Sequence, residues 1–450
     1  MDYEFRVVVE KVPVAGKKVV KRETIATYEI QPPQTILELG LRHEQQISLL
    51  SKVQETLLAE QSPLIDTGDD TCPQCGQKLS KNGFMKSKFH AVFSDHQLRL
   101  QKHRCKNADC GWQRTPTSTT VFGTDIHPDL AKLQCEQGAL HSYREAESNL
   151  EKLNVHHRPV NNHVRVQTII HQVGEQLSQK NQHPPMAEDL SHPADALIIQ
   201  VDGGHIPTKD KDKRSFEALS GVIYQPNNLE VVDNHHRRIS DKSCVISALD
   251  DDLKTFKTYV HNAALRQGLN AQTQVTGLAD GASNCWSAIL ALRPHCQSLE
   301  LILDWFHIGK KFKTVTNALG EVFEESLEKA KWTLWHGDAK SALRKLALLR
   351  DNLTDEKKRF RLKGLHDYLK NNQDYLVNYD AREKAGKPFT SQVAESHIDT
   401  LINARHKRKQ KMQWTRKGAH HVLQIRALMA SNEWEEKWLD LVLPALVTVA

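Results

Sequence analysis

No stretch of the chain approaches the roughly 20 consecutive apolar residues that a membrane-spanning helix needs, so no membrane partner is expected. The opening residues, MDYEFRVVVEKV, lack the basic start and apolar stretch of a secretory signal and alternate polar with apolar residues instead. A cytoplasmic protein is therefore expected. Charge of one sign is also scarce: 61 Lys and Arg stand against 55 Asp and Glu, a formal net charge of +6, which alone says little about a polyanionic partner. Disordered, low-complexity composition is missing, because 39% of residues are hydrophobic and 26% charged, as in soluble globular proteins. Its 450 residues exceed the ~100–200 of one compact core, so two to four folded units are expected. A disulfide framework is not expected from the eight cysteines, since the cytoplasm keeps thiols reduced.

Four of those cysteines are spaced for metal. Cys72-Pro-Gln-Cys75-Gly forms one knuckle and Cys105-Lys-Asn-Ala-Asp-Cys110-Gly a second, and together they point to a structural zinc ion (Zn2+) held tetrahedrally in a zinc ribbon, residues 63–122. Cys135, Cys244, Cys285 and Cys296 are scattered singly and suit ordinary thiols. Before the ribbon, residues 1–62 read as a β-hairpin turned at 14–17 followed by an amphipathic helix over about 35–60. Ile36, Leu39, Leu41, Ile47, Leu50, Val53 and Leu57 form its apolar side. That side can pack locally or dimerise the chain.

After the ribbon, three helices are expected over about 128–139, 142–153 and 160–176, within a helix-turn-helix-like region at 123–180. Ser142-Tyr-Arg-Glu145 is a capping-box pattern, and His156-His157-Arg158-Pro159 is the turn before the third helix. Asn162 and Arg165 lie near the start of that helix, where a recognition helix presents side chains to base edges of double-stranded DNA. A polar, proline-containing linker at 179–193 closes the region.

Beyond the linker, strands alternate with helices. Ala196-Leu-Ile-Ile-Gln-Val-Asp202-Gly-Gly and Gln274-Val-Thr-Gly-Leu-Ala-Asp280-Gly are apolar strands that each end in an acid and glycine. Strands are also expected over 216–224 and 229–235, a helix over 244–265, and a fifth strand over 298–304. The order strand, strand, strand, helix, strand, helix, strand is that of a ribonuclease-H-like fold, so the fold class is α/β with catalytic segments at 194–307 and 385–430. In that fold the first and fourth strands deliver acids, which selects Asp202 and Asp280. Asp304 also ends an apolar strand and is the rival for the second position. Residues 308–384 read as an all-α insertion, and 431–450 as a C-terminal tail. A third acid, Glu395, sits on a helix capped by Ser391, off the apolar stripe of Val393, Ile398 and Leu401.

The motifs Val201-Asp202-Gly-Gly-His205, Leu278-Ala-Asp280-Gly-Ala and Asp304-Trp-Phe-His307-Ile-Gly-Lys310 stand in fixed order before Glu395-Ser396 and Asn403-Ala-Arg405-His-Lys-Arg-Lys-Gln-Lys411-Met-Gln-Trp414. In this combination the chain resembles transposases of the bacterial ISKra-four insertion-sequence family, related to Mutator-like transposases. That resemblance implies a DDE transposase that binds terminal inverted repeats and carries a helical insertion before its last acid. It implies Asp202, Asp280 and Glu395 as catalytic acids holding two Mg2+ or Mn2+ ions, and a nucleoid-associated bacterial protein. His307 matches the histidine of a cysteine-x-x-histidine pair in the wider group, whereas Asp304 stands in place of its cysteine. His205, His307 and Asp304 are candidates for supporting roles beside the acids.

The chemistry asks for these residue types. End cleavage and joining of the freed 3′-OH to target DNA are in-line displacements at phosphorus, which a pair of cations bound by hard carboxylate oxygens can promote. Arg405, Lys407, Arg408, Lys409 and Lys411 crowd the segment after Glu395. With Arg416 and Lys417 beyond it, Trp414 stands among basic residues, suiting phosphate neutralisation with one ring to stack on a base. Lys209 and Lys211 would form a second positive lip. A homodimer or larger assembly on DNA is expected. A ribonuclease-H-like nuclease without strand transfer would share the acids, and a domesticated DNA-binding regulator would have lost them.

Overall fold

The computed structural model describes residues 3–16, 18–231, 237–391, 399–407 and 412–439. The chain divides into two compact units, one formed by residues up to 173 and from 437 onward, the other by residues 174–436.

In the first unit, strands β1 (Tyr3–Lys11) and β2 (Lys21–Ile30) pair antiparallel. Helix α1 (His43–Gln61) starts later than the apolar pattern suggests, because a short 3-10 turn, Ile36–Glu38, and Gly40 in the left-handed region come first. Of its apolar stripe Ile47 is buried, while Leu50, Val53 and Leu57 are exposed. Strands β3 (Leu79–His90) and β4 (Asp95–Cys105) form a long antiparallel ribbon, with β5 (Gln113–Arg114) on its edge. Then follow α2 (Ser118–Phe122), α3 (Pro128–Leu140), α4 (Tyr143–Glu151) and α5 (His163–Gln182), a helix that spans the break between the units.

Local sequence explains the helix ends. Ser142 and Glu145 make the reciprocal capping box that opens α4. Arg158, 5% exposed, is the keystone of the turn before α5. Its guanidinium donates to the carbonyls of Ala91, Val92 and Ser94, to Asn154 Oδ1 and to the Asp95 carboxylate, tying the tip of the ribbon to the helices. A planar five-donor fork is what lets one side chain satisfy so many acceptors.

The second unit is built on a five-stranded mixed sheet. Its strands are β6 (Ala196–Pro207), β7 (Ser215–Tyr224), β10 (Ser243–Ser247), β11 (Gln274–Ala279) and β12 (Ser298–Leu303), in the order β10-β7-β6-β11-β12. The first three pair antiparallel, and β11 and β12 run parallel to β6. The sequence reading needs correction at the third strand. Leu229–Val231 (β8) and Arg237–Ile239 (β9) form a separate small ribbon, and the third sheet strand is Ser243–Ser247, at the start of the expected 244–265 helix. Ser-Cys-Val-Ile-Ser is buried at every position, and such a short apolar run carries no period that tells strand from helix. The helix itself, α6 (Lys254–Arg266), begins after it and packs Phe256, Tyr259 and Val260 into the core beside Val222 and Val245.

Helix α7 (Ser283–Leu290) connects β11 to β12. Helices α8 (Trp305–Leu319), α9 (Glu324–Trp335), α10 (Ala339–Asp351), α11 (Glu356–Asn371) and α12 (Tyr379–Lys384) make up the helical insertion. Its base is an aromatic cluster in which Trp305 lies 4.8 Å from Trp335 and 4.7 Å from Tyr379 between ring centres. The helix Arg416–Ala430 is buried on almost every side, and Gln424 Nε2 donates to the Ile246 carbonyl of β10. Among the described residues no helix is long and apolar enough to cross a membrane.

Candidate active site and cysteine cluster

Register alone brings three acids together. Val201 of β6 pairs with Ala279 of β11, which pairs with Leu303 of β12. Asp202, Asp280 and Asp304 are the next residues on three adjacent parallel strands, whose spacing is about 4.8 Å. With His307 and Ser391 they line a cavity of about 20 Å³, room for little more than a water or a small ion.

The glycines beside the acids answer to close approach. Gly281 has φ +97°, and a side chain there would meet the Asn372 amide at 2.9 Å. At Gly203 a Cβ would come within 2.5 Å of Glu217 Oε1.

The acids are not equivalent. Asp304 is 1% exposed on its side chain and fully engaged. Its Oδ1 accepts from the backbone N–H of Phe306, capping α8, and from that of Ser391 at 2.8 Å. Its Oδ2 accepts from Ser391 Oγ at 2.6 Å and from His307 Nδ1 at 2.6 Å. With its acceptor directions taken, Asp304 is a poor cation ligand and a good orienter of His307. Asp202 and Asp280 differ. Asp202 is 22% exposed, accepts from the N–H of Gly203, and has Oδ2 3.6 Å from His307 Nε2. Asp280 Oδ1 accepts from the N–H of Ala282, and its carbonyl accepts from Tyr368 Oη at 2.7 Å. The Asp304 carboxylate is thus more fully engaged than that of Asp280.

Burial raises the Asp202 carboxyl above its ordinary value. His307 and the Gly203 N–H oppose this, and the Asp280 and Asp304 charges add to it. For His307 burial alone would lower the imidazole, but its hydrogen bond to Asp304 and the surrounding carboxylates raise it overall. The two form a linked acid, imidazole, acid chain from Asp304 through His307 to Asp202.

A fourth acid went unnoticed in the sequence. Glu217 on β7 accepts from Asn284 Nδ2 at 2.7 Å and reaches over Gly203, beside Asp202. The signal was available: an acid within the apolar run Phe216 to Tyr224, on the strand expected to pair with the one that carries Asp202. His205, its cross-strand partner, is exposed.

Glu395 lies outside the described residues, as do Arg408, Lys409 and Lys411. The expected DNA-facing role of two neighbours requires correction. Arg405 is 3% exposed and Trp414 7%, with the guanidinium 4.7 Å over the indole and the His406 ring 4.5 Å from the same indole. Backbone pairing holds Trp414 against the end of β6: its N–H donates to the Pro207 carbonyl, and the Lys209 N–H donates to the Trp414 carbonyl. Burial, with the Arg405 and Arg426 charges, pushes His406 down to about 3. Lys407, Lys209 and Lys211 are exposed.

In the first unit Asn162 Oδ1 accepts from the N–H of Arg165 at 2.9 Å, so this side chain caps α5. Arg165, 47% exposed on its side chain, lies 3.7 Å from Asp125.

The four knuckle cysteines converge. Their sulfur atoms all lie within 4.8 Å of one another, with Cys72 to Cys110 at 3.7 Å and Cys75 to Cys105 at 3.4 Å. Sulfurs around a tetrahedral ion at ~2.3 Å stand roughly 3.8 Å apart, so the cluster can bind a metal such as zinc.

Residues 126–437 match a family described as uncharacterised protein family UPF0236, and the chain belongs to that family. No curated protein matches it in sequence. Among solved structures it is similar to a chain of the Drosophila P element transposase strand transfer complex, at 8% identity over 70% of this chain and 81% of that one, with a TM-score of 0.24. At that score the similarity carries no argument about fold or activity.

Proposed function

We propose that this chain is a DDE transposase, with a ribonuclease-H-like catalytic unit of the kind found in ISKra-four and Mutator-like enzymes. The observation that carries the reading is the pair Asp202 and Asp280, set side by side at the open ends of neighbouring parallel strands. The strand order and the helical insertion after the fifth strand agree with it.

Two hard carboxylates flanking a small cavity suit Mg2+ or Mn2+, with Glu395 as the third ligand. Such a cation pair, when bound, supplies Lewis-acid stabilisation of the charge that develops on phosphate oxygens. The chain's own part is positioning. Asp304 holds His307, and His307 steadies Asp202 through Nε2. Lys209, Lys211 and Lys407 meet DNA phosphates, and Arg408, Lys409 and Lys411 share that role. Zinc in the cysteine cluster fixes the ribbon, and a homodimer or larger assembly brings two transposon ends together.

Purified protein incubated with magnesium and labelled duplexes drawn from the DNA flanking its gene should both cut and join. Asp202→Asn, Asp280→Asn and Glu395→Gln should each reduce cleavage to background while leaving end binding nearly intact. Cleavage without any joined product would leave only a nuclease, and normal cleavage by Asp280→Asn would remove the proposed pair.

A further inference from the structure

The β3–β4 ribbon has two unlike faces. Register places Phe84 opposite Gln101, Lys86 opposite Arg99 and Lys88 opposite Gln97. The alternate positions Ser87, Leu98 and Leu100 are buried, whereas Lys86, Lys88, Gln97 and Arg99 are exposed. The outward face therefore presents three cations and an aromatic ring, with the Arg99 guanidinium 4.7 Å over Phe84. No acid interrupts residues 84–88 or 97–101.

At the tip this face runs into a groove of about 520 Å³, lined among others by Lys88, Gln97, Asn162 and Arg165. The acids in the groove are already engaged: Asp95 by Arg158 and His90, Asp125 by His90 and Arg165. They leave the basic stripe's charge largely uncancelled.

We propose that this outward face is a binding surface for duplex DNA. Lys86, Lys88 and Arg99 meet phosphates, and Gln97 is placed to reach base edges. The inference rests on the transposase reading and moves the main contact of the first unit from the start of α5 to the ribbon. A two-stranded ribbon fits a major groove about 12 Å wide. Lys86 and Lys88, two residues apart on one strand, are spaced by ~6.8 Å along it. Charge complementarity favours a polyanion, and the regular two-stranded shape favours a groove over an acidic peptide.

The test is binding of the full-length protein to a labelled random-sequence duplex, by fluorescence anisotropy at several salt concentrations. Each phosphate contact adds about 0.9 to the slope of log affinity against log salt. Replacing Lys86, Lys88 and Arg99 with Ala should make that slope shallower by about 2.7 and weaken binding about 10²-fold at ~0.1 M salt. The variant Lys86→Arg, Lys88→Arg, Arg99→Lys should bind as the parent does. Should the triple-Ala variant lose zinc, the double change Lys86→Gln, Lys88→Gln is read instead, with an expected slope loss of about 1.8. Unchanged slope and affinity in a folded variant would overturn the ribbon surface and leave the transposase reading standing. Failure of the unmodified protein to bind duplex DNA would instead remove the reading itself. Preference for single-stranded RNA over duplex would overturn the assigned partner.

Discussion

Asparagine at position 304 separates two roles that look alike in sequence. The Asp304 carboxylate is 1% exposed and accepts from Phe306, Ser391 twice, and His307. In Asp304→Asn one oxygen keeps its two backbone donors. The new amide can donate to Ser391 Oγ, but it meets His307 Nδ1–H donor to donor unless the ring changes tautomer. A hydrogen bond to a charged group is worth about 1.5–3 kcal/mol, and a buried donor left unmatched costs about 1–3 kcal/mol. The substitution should therefore cost about 2–4 kcal/mol, a Tm drop of roughly 4–16 °C at about 2–4 °C per kcal/mol. Asp202→Asn should act in the opposite direction. A raised folded pKa means that the charged carboxyl costs stability, so the neutral amide relieves burial and the Asp280 and Asp304 charges. A gain of about 0.5–1 kcal/mol is expected, as commonly follows when a strained functional group is neutralised. Thermal unfolding in magnesium-free buffer at pH 7 measures both. If Asp304→Asn melted at or above the parent temperature, the assignment of Asp304 as an orienter would be wrong and its claim as a ligand would revive.

Replacing Cys72 or Cys110 with Ser should release about one zinc per chain and loosen the ribbon, since a site of this kind contributes folding energy directly; full zinc after Cys72, Cys75, Cys105 and Cys110 are all replaced with Ser would refute the cluster. Arg158→Met strips the Ala91, Val92 and Ser94 carbonyls and the Asp95 carboxylate of one shared donor, and should destabilise the first unit by about 3 kcal/mol in urea unfolding. The same pair sets an acid limb. Burial would raise Asp95, but Arg158 and His90 outweigh it and lower it. Its contribution is then present above the unfolded value of about 3.9 and is lost as pH falls through the lower folded value, so Asp95→Asn should flatten stability against pH there.

Much of the site was legible because strands announce their ends. An apolar β-branched run closed by acid and glycine placed Asp202 and Asp280, and pairing in register did the rest. Topology alone picked Asp280 over Asp304; what the sequence could not show is that Asp304 accepts four hydrogen bonds, two of them from Ser391, far along the chain. Glu217 was overlooked because one acid inside an apolar strand looks like its solvent face. Arg405 and Trp414 misled for the converse reason: a run of basic residues looks solvated as a whole, while Trp414 pairs through its backbone with Pro207 and Lys209 and Arg405 is buried against its ring. The missed third strand shows the limit of periodicity, since five residues buried on both faces have none to read.

The insertion between β12 and Ser391 also fixes what can be cut away. Tyr368 on α11 holds the Asp280 carbonyl, Asn372 crowds Gly281, and Tyr379 Oη donates to the Leu303 carbonyl just before Asp304. Two of the strand-end acids thus hang from the inserted helices as a door hangs from its post. Shortening 308–384 to a loop would leave the sheet's hydrogen bonds intact yet unseat Asp280 and Asp304 together, so trimming should tolerate α9 and α10 before it tolerates α11.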